Sequence, residues 1–459
     1  MKLEAREIAE ATGGRLAREA AAGPVLTDTR ALVPGAWFLA LVGERFDGHD
    51  FLETAAAAGA AGCVVSQAPG AGWRGGVVVV EDTTRALQDL GRFARDRLRC
   101  PVVGLTGSTG KTTTRALVAC ALAPLGPVHQ SPGNLNNHLG VPMTLLAAPE
   151  HVAAVVVEMG SSAPGEIELL AGIARPDVRL VVNVGPAHLE AFGGLDGVAR
   201  EKGALFETAR PGDVLCVNLD DVLVAILPRP PGTRTLTWGR HEQADVRLLD
   251  ASVDPRTLTT AARIVSGSDE VNVVLRTPGL HMALNASAAL AVAVGLGVSL
   301  VDAAKGLSTY EPVGMRMRTE PLPGGGVAIN DAYNANPASM EASLRTLASL
   351  PGRRAAVLGD MLELGVTEAA WHERVAALAA SLGLELVALV GPRMSRAADA
   401  ARGPTEVWVA EEGLDLVERL RGWLQPGDHV LFKGSRGARV ERIVHALQRQ
   451  PAARAGSNG

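Results

Sequence analysis

The chain has 459 residues, 47% apolar, 20% charged and only 3% aromatic, with a formal net charge of −5. That length suits roughly three domains of about 150 residues each, with aliphatic, alanine-rich cores, and the mild charge excludes a nucleic-acid stripe or a polybasic membrane patch. No run approaches the ~20 apolar residues of a membrane span, and no N-terminal stretch has the pattern of a signal peptide. A cytoplasmic protein is therefore expected, with no membrane or nucleic-acid partner; the composition also fits a monomer. Cys63, Cys100, Cys120 and Cys216 are widely spaced beside apolar runs, which predicts buried reduced thiols.

In chain order, residues 1–97 predict a small α/β unit, with an alanine-rich helix and two strands, "GCVVSQ" and "GVVVVED", before the charged helix "RALQDLGRFARDRLR". Residues 98–310 carry continuous β-branched runs, "PVVGLTG", "VAAVVVEMG", "VRLVVNVG" and "GDVLCVNL", separated by helical stretches. This pattern predicts a mostly parallel sheet covered on both faces. Residues 235–276 alternate instead and predict an antiparallel appendage, followed by a buried helix over "LNASAALAVAVGLG". Residues 311–450 give five further strand candidates interleaved with helices, a second Rossmann-like α/β domain. The tail 451–459 has no apolar face and is expected to be disordered.

The strongest chemical signal is "GLTGSTGKTTT" at 104–114, where a strand, a glycine-rich turn and a helix follow one another. Such a turn wraps phosphate in backbone amides at a helix N-terminus, Lys111 adds a point charge, and Thr112 can ligate Mg²⁺. The strict GxxxxGK[ST] spacing is not met, because Leu105 stands where its first glycine would be. Glu158 closes the strand "VVVEM" at the end where ligands bind in open α/β sheets, so it could hold the metal of the phosphate loop. "NVGPAH" places His188 just past the next strand, and Asn134, Asn136 and Asn137 cluster in "NLNNHLGVP" with amides suited to orienting a substrate or a metal-bound water. Taken singly, each of these three also fits a polar loop or turn.

Together with the lysine of "REKGALF", these motifs resemble the central domain of the Mur ligases, ATP-dependent enzymes that build the peptide of the bacterial cell-wall precursor. The resemblance spans essentially the whole chain. "DTRALVPGAWFLALVGERFDGHDF" resembles the family's UDP-sugar-binding segment; "NDAYNANPASM", "VLGDMLELG" and "LFKGSRGARVE" resemble the members that add D-alanyl-D-alanine. The resemblance implies an amide-bond ligase that joins D-alanyl-D-alanine to UDP-N-acetylmuramoyl-tripeptide through an acyl phosphate, with ATP and two Mg²⁺ ions.

Carried over by motif, the ATP site comprises Gly107, Ser108, Thr109, Gly110, Lys111, Thr112 and Thr113, with His281 and Asn285 at adenine, Asp331 at ribose and Arg316 at the phosphates. Thr112 and Glu158 would hold the first Mg²⁺, and His188 the second. Asn137 joins the catalytic set. Thr29, Arg30, Asp47, Gly48 and His49 would contact the UDP-sugar. Asn334, Asn336, Lys433, Ser435 and Arg436 are placed at the dipeptide site or a domain interface. Closure of the third domain about residues 309–314 would complete the site.

Lys202 stands out because the chain has only five lysines among 44 basic residues. The resemblance implies a lysine carbamylated by CO₂ that bridges metal ions, a reaction open to a neutral amine and closed to arginine. The competing expectation is a solvated lysine paired with Glu201. Two other activities remain open at this point: the related ligase that adds a diamino acid at peptide position three, and a P-loop phosphotransferase or nucleotide switch.

Overall fold

The computed structural model describes residues 1–449, so the tail expected over 451–459 lies outside the described residues. Three α/β sheets follow one another along the chain. The first has the order Arg15–Arg18, Gly76–Val79, Gly62–Val65, Trp37–Leu39, Val25–Leu26, parallel except for its first pair. Its valine-rich strands are buried, and the indole of Trp37 reaches the carbonyl of Ala21.

Asp82 caps the helix Thr83–Arg97 by accepting from the backbone N–H of Thr84 and Arg85, as an N-cap aspartate does. That helix buries Ala86, Leu87, Leu90 and Ala94 against the helices Gly140–Ala147 and Glu166–Ala174 of the next unit. The first two units therefore share one core cluster.

The central sheet has nine strands, in the order Asp269–Leu275, Thr259–Ser266, Val246–Asp254, Arg234–Gly239, Val214–Asn218, Val178–Val181, Val102–Thr106, Ala154–Glu158, Val128–Gln130. The antiparallel appendage is smaller than expected. Arg234–Gly239 runs parallel to Val214–Asn218, and the antiparallel pairs are confined to the strands from Val246 to Leu275. Along Arg234–Gly239 burial rises from exposed Arg234 and Thr235 to buried Trp238 and Gly239. The expected buried helix is Leu280–Gly295, packed across the helix Lys111–Ala121.

The third sheet has the order Arg318–Pro321, Val327–Asn330, His429–Lys433, Arg354–Gly359, Leu386–Val390, Glu406–Ala410. The five expected strands are parallel, and a sixth, the polar edge strand Arg318–Pro321, adds on antiparallel.

In the central sheet Val102–Thr106 lies between Val178–Val181 and Ala154–Glu158, so connections leave it toward opposite edges. The crevice beyond the carboxyl ends of these three strands is where open α/β sheets bind ligands.

Candidate active site

The glycine-rich turn begins where Val102–Thr106 ends, and Gly110, with φ of 75°, precedes the helix Lys111–Ala121. A Cβ there would adopt a left-handed backbone and sit 3.1 Å from Asn285 Oδ1, so glycine is required. The turn is braced by the segment after the neighbouring strand. Thr109 N–H donates to Asn183 Oδ1 at 2.9 Å, and the Ser108 hydroxyl exchanges hydrogen bonds with the backbone of Gly185 at 2.9 Å. Lys111 Nζ curls back onto the Gly107 carbonyl at 2.6 Å. Burial lowers its pKa, with Glu158 opposing. Thr113 is buried within the helix.

Glu158 is only 2% exposed. Its Oε1 accepts from the Thr112 hydroxyl at 3.1 Å and from Asn136 Nδ2 at 2.9 Å. Its Oε2 pairs with the buried guanidinium of Arg115 at 3.1 Å. Arg115 also donates to Gln130 Oε1 and to the Gly133 carbonyl, and so ties the asparagine loop to the phosphate turn. Within that loop Asn137 Oδ1 accepts the backbone N–H of Leu139 and Gly140 at the start of the helix Gly140–Ala147, and Asn136 reaches the carboxylate. The turn geometry decides which amide faces Glu158.

Lys202 lies on the helix Leu195–Glu207, 2% exposed, and its Nζ donates to the Ser161 hydroxyl at 2.7 Å. Burial, reinforced by the nearby Lys111 ammonium, lowers its pKa to about 7. Glu201 is engaged elsewhere, accepting the backbone N–H of Gly165 and Ile167 at 2.8 Å each. The solvated pair with Glu201 is thus overturned. His188 sits at φ of 51°, with Nδ1 2.6 Å from Glu363 Oε2. Burial lowers the pKa of the imidazole, Glu363 opposes this, and Lys111 and Lys202 add to it. The Phe192 ring lies between the two groups, edge-on to His188 and 5.9 Å from the Lys202 amine.

The third sheet reaches this face directly. Arg316 donates to the Thr112 hydroxyl at 3.1 Å and stacks 3.7 Å over Tyr333. Asn336 Nδ2 reaches the Ser108 carbonyl at 3.5 Å, and its Oδ1 caps the helix Pro337–Ala348. Asp331 accepts from the Met317 N–H, the Ser343 hydroxyl and Lys433 Nζ. His281, half-buried near Asp331, is pushed down to about 4 by burial.

Of the group placed at the dipeptide site or a domain interface, Lys433 Nζ donates to the Asn334 carbonyl at 3.2 Å. Lys433 is buried on Asp331, Ser435 is buried with its N–H on the Asp360 carbonyl, Arg436 is exposed and paired with Glu441, and Asn334 is exposed. A cavity of about 160 Å³ separates Pro186 of the central unit from Pro337, Trp371 and Val375 of the third.

The residues expected at the UDP-sugar lie on the first sheet's loops. Arg30 is exposed and bound to Asp28. His49 accepts from the Ser66 N–H at 3.0 Å and pairs with Asp47, with Gly48 buried and Thr29 partly exposed in a short helical turn. His49 and Asp47 thus shape their own loop.

Among the described residues no cluster of three or more His, Cys, Asp and Glu side chains is assembled, and no helix is long and apolar enough to cross a membrane. Three family models match in succession: the Mur ligase family, catalytic domain over residues 24–95, the Mur ligase middle domain over 105–293, and the Mur ligase, glutamate ligase domain over 315–436. The chain belongs to the Mur ligase family.

As a Mur ligase it is an enzyme, and the phosphotransferase or switch reading falls away. It is 35% identical to the UDP-N-acetylmuramoyl-tripeptide–D-alanyl-D-alanine ligase of Bacillus subtilis, over 98% of this chain and 99% of that one. A crystal structure of MurF from Acinetobacter baumannii matches with a TM-score of 0.89 at 32% identity, covering 98% of this chain and 99% of that one. The MurF ligase of Thermotoga maritima, in complex with ADP, matches with a TM-score of 0.82 at 28% identity, covering 93% and 97%.

Proposed function

We propose that this Mur ligase joins D-alanyl-D-alanine to UDP-N-acetylmuramoyl-tripeptide, consuming ATP and yielding the UDP-linked pentapeptide, ADP and phosphate. One observation carries the reading: Lys111, His188 and Lys202 lie near one another beyond the strand ends, with Glu158 beside Lys111. Burial and mutual proximity hold these groups back from protonation, and a polyanion, here nucleotide phosphates and a peptide carboxylate, favours their charged forms. The near-full-length likeness to D-alanyl-D-alanine ligases supplies the substrates.

A carboxylate is a poor acyl donor. Phosphoryl transfer from ATP turns one of its oxygens into a leaving group; the dipeptide amine then attacks the acyl carbon and phosphate departs. Three anionic partners must meet, so the protein's share is positioning and charge neutralisation. Lys111 leaves Gly107 for the terminal phosphates, the turn's amides cradle them, and Arg316 neutralises them from the third domain. Asn285, lying against Gly110, and His281 would face adenine; Asp331, steadied by Lys433, would face ribose. Assembly of the site from the central and C-terminal domains makes closure about residues 309–314 part of the proposal.

The oxygen donors of Thr112 and Glu158 suit a first Mg²⁺, with Arg115 leaving Glu158 Oε1 to serve it. His188 with a carboxylate at Lys202 would complete a second site, which the amine alone does not supply. When bound, the metal ions would neutralise phosphate charge. Carbamylation needs the neutral amine: a lysine at the ordinary ~10.4 is neutral in roughly one molecule per thousand near pH 7.4. One at about 7 is neutral in well over half. Cytoplasmic action and a monomeric state belong to the same proposal.

The test is phosphate release with UDP-N-acetylmuramoyl-tripeptide plus D-alanyl-D-alanine, against the UDP-dipeptide plus a diamino acid. Turnover confined to the second pair would replace this reading with the ligase acting at position three.

A further inference from the structure

Glu363 belongs to the segment 360–367, which follows the strand Arg354–Gly359 in the third sheet. The base of this loop is held firmly. Asp360 Oδ1 accepts the backbone N–H of Arg393 and Met394, the Met361 N–H donates to His372 Nε2 at 3.0 Å, and Met361 and Leu364 are buried. Its tip leans on the short helix Leu189–Phe192 of the central unit, close enough that a Cβ on Gly365 would come within 3.2 Å of Glu190 Cβ. At the tip, Glu363 Oε2 lies 2.6 Å from His188 Nδ1.

Both residues of this pair have left-handed backbones, φ of 65° for Glu363 and 51° for His188, two of six such non-glycine residues among those described. Histidine enters this region more readily than most residues and glutamate does not, so Glu363 is held there by its surroundings. From different units the two residues aim their side chains at one another. A hydrogen bond at one ring nitrogen of a histidine decides which nitrogen carries the proton and which keeps the lone pair. A carboxylate on the far nitrogen is the usual partner of a ligating imidazole.

We propose that Glu363 is a positioning residue for His188 that acts across the domain interface: it accepts the Nδ1–H and so leaves Nε2 as the nitrogen free to bind a ligand. The inference rests on the reading of His188 as part of the metal and phosphate site. It adds that the ligating form of His188 is selected only when the third domain is docked, so closure and ligand binding are linked through one hydrogen bond.

The test uses the full-length protein, labelled with ¹⁵N-histidine, at pH 8 with Mg²⁺ and a non-hydrolysable ATP analogue. Two-bond ¹H–¹⁵N correlations should show His188 protonated at Nδ1 in the wild type and in E363Q, whose amide oxygen still accepts. They should show loss of that tautomer in E363A. Glu363 is 64% exposed on its side chain, so E363A is expected to fold with an unchanged melting temperature. G365V, which crowds Glu190, should displace the tip and lose the tautomer although Glu363 is present. In turnover, E363A should raise the Mg²⁺ concentration needed for half activity roughly 10–100-fold, with E363Q between it and the wild type. Retention of the Nδ1–H form in E363A, or its absence in the wild type, overturns the proposal. Failure of Mn²⁺ to broaden the wild-type His188 resonances would instead sink the ligand reading, so the two failures are told apart.

Discussion

The phosphate-turn crevice and the Thr29–His49 loops were both expected to bind anionic ligands, yet they hold their charges in opposite ways. In the crevice, Lys111, His188 and Lys202 are packed together and each titrates lower than usual because of burial. In the loops, Arg30 is bound to Asp28 and His49 to Asp47 and Ser66, with the aspartate partners two residues away. In the crevice, burial and like-charged neighbours outweigh the nearby Glu158, Glu363 and Glu166 and hold these groups back from protonation, a penalty that an anionic ligand relieves, whereas the loop groups are satisfied by their neighbours and shape the loop. The crevice is therefore where substitution should change chemistry, and the loops are where it should change shape or affinity.

The comparison is tested most severely at Lys202. Lys202→Ala should lose nearly all turnover, on the order of 100-fold or more if a carboxylate there ligates metal, and short carboxylic acids should restore part of it. Lys202→Arg should be nearly as inactive, because a guanidinium is effectively always protonated. A fully active arginine variant would make the crevice an ordinary buried surface.

Next in size is Lys433→Met, which leaves Asp331 with its hydroxyl and N–H partners but no cation. Breaking a buried pair from one side costs about 3 kcal/mol, so urea denaturation should show that loss, together with a raised KM for ATP.

A smaller effect is expected at His281, through pH. Its folded pKa of about 4 lies below the ordinary 6.5, so as pH falls below 6.5 the unfolded chain takes up this proton first. Stability from this group is thus complete above 6.5 and is lost progressively toward 4. His281→Gln should flatten that part of a stability-against-pH curve. The smallest effects belong to the loops. His49→Ala should leave the buried-side N–H of Ser66 without its acceptor, costing about 1 kcal/mol with kcat unchanged. Arg30→Ala should leave the melting temperature alone and raise only the KM for the UDP-linked peptide. A fall in kcat for either would erase the contrast between the two regions.

Lys111, Thr112, Glu158 and His188 end a strand or follow one closely, so local pattern singled them out, whereas Lys202, inside the helix Leu195–Glu207, was singled out by the family resemblance. The choice between Asn136 and Asn137 was not legible in the sequence, since it depends on how one turn directs adjacent amides. Arg115 looked like any helix cation until the fold put Glu158 and the Gly133 carbonyl around it. Glu363 and His188 are 175 residues apart in sequence and meet through domain docking, which no spacing reveals. The strands failed in a similar way: Arg234–Gly239 carries polar residues at its exposed start, although its pairing is parallel.

The cavity between Pro186 and Trp371 has an optical consequence. The chain has six tryptophans and two tyrosines, so its emission comes from few sources, and Trp371 lines the gap between the two units that Arg316 and Glu363 hold together. Its indole would become wetter as that gap widens and drier as it narrows. A variant keeping Trp371 as its sole tryptophan would turn the enzyme into its own fluorescent gauge of opening, read in real time during turnover without an attached dye.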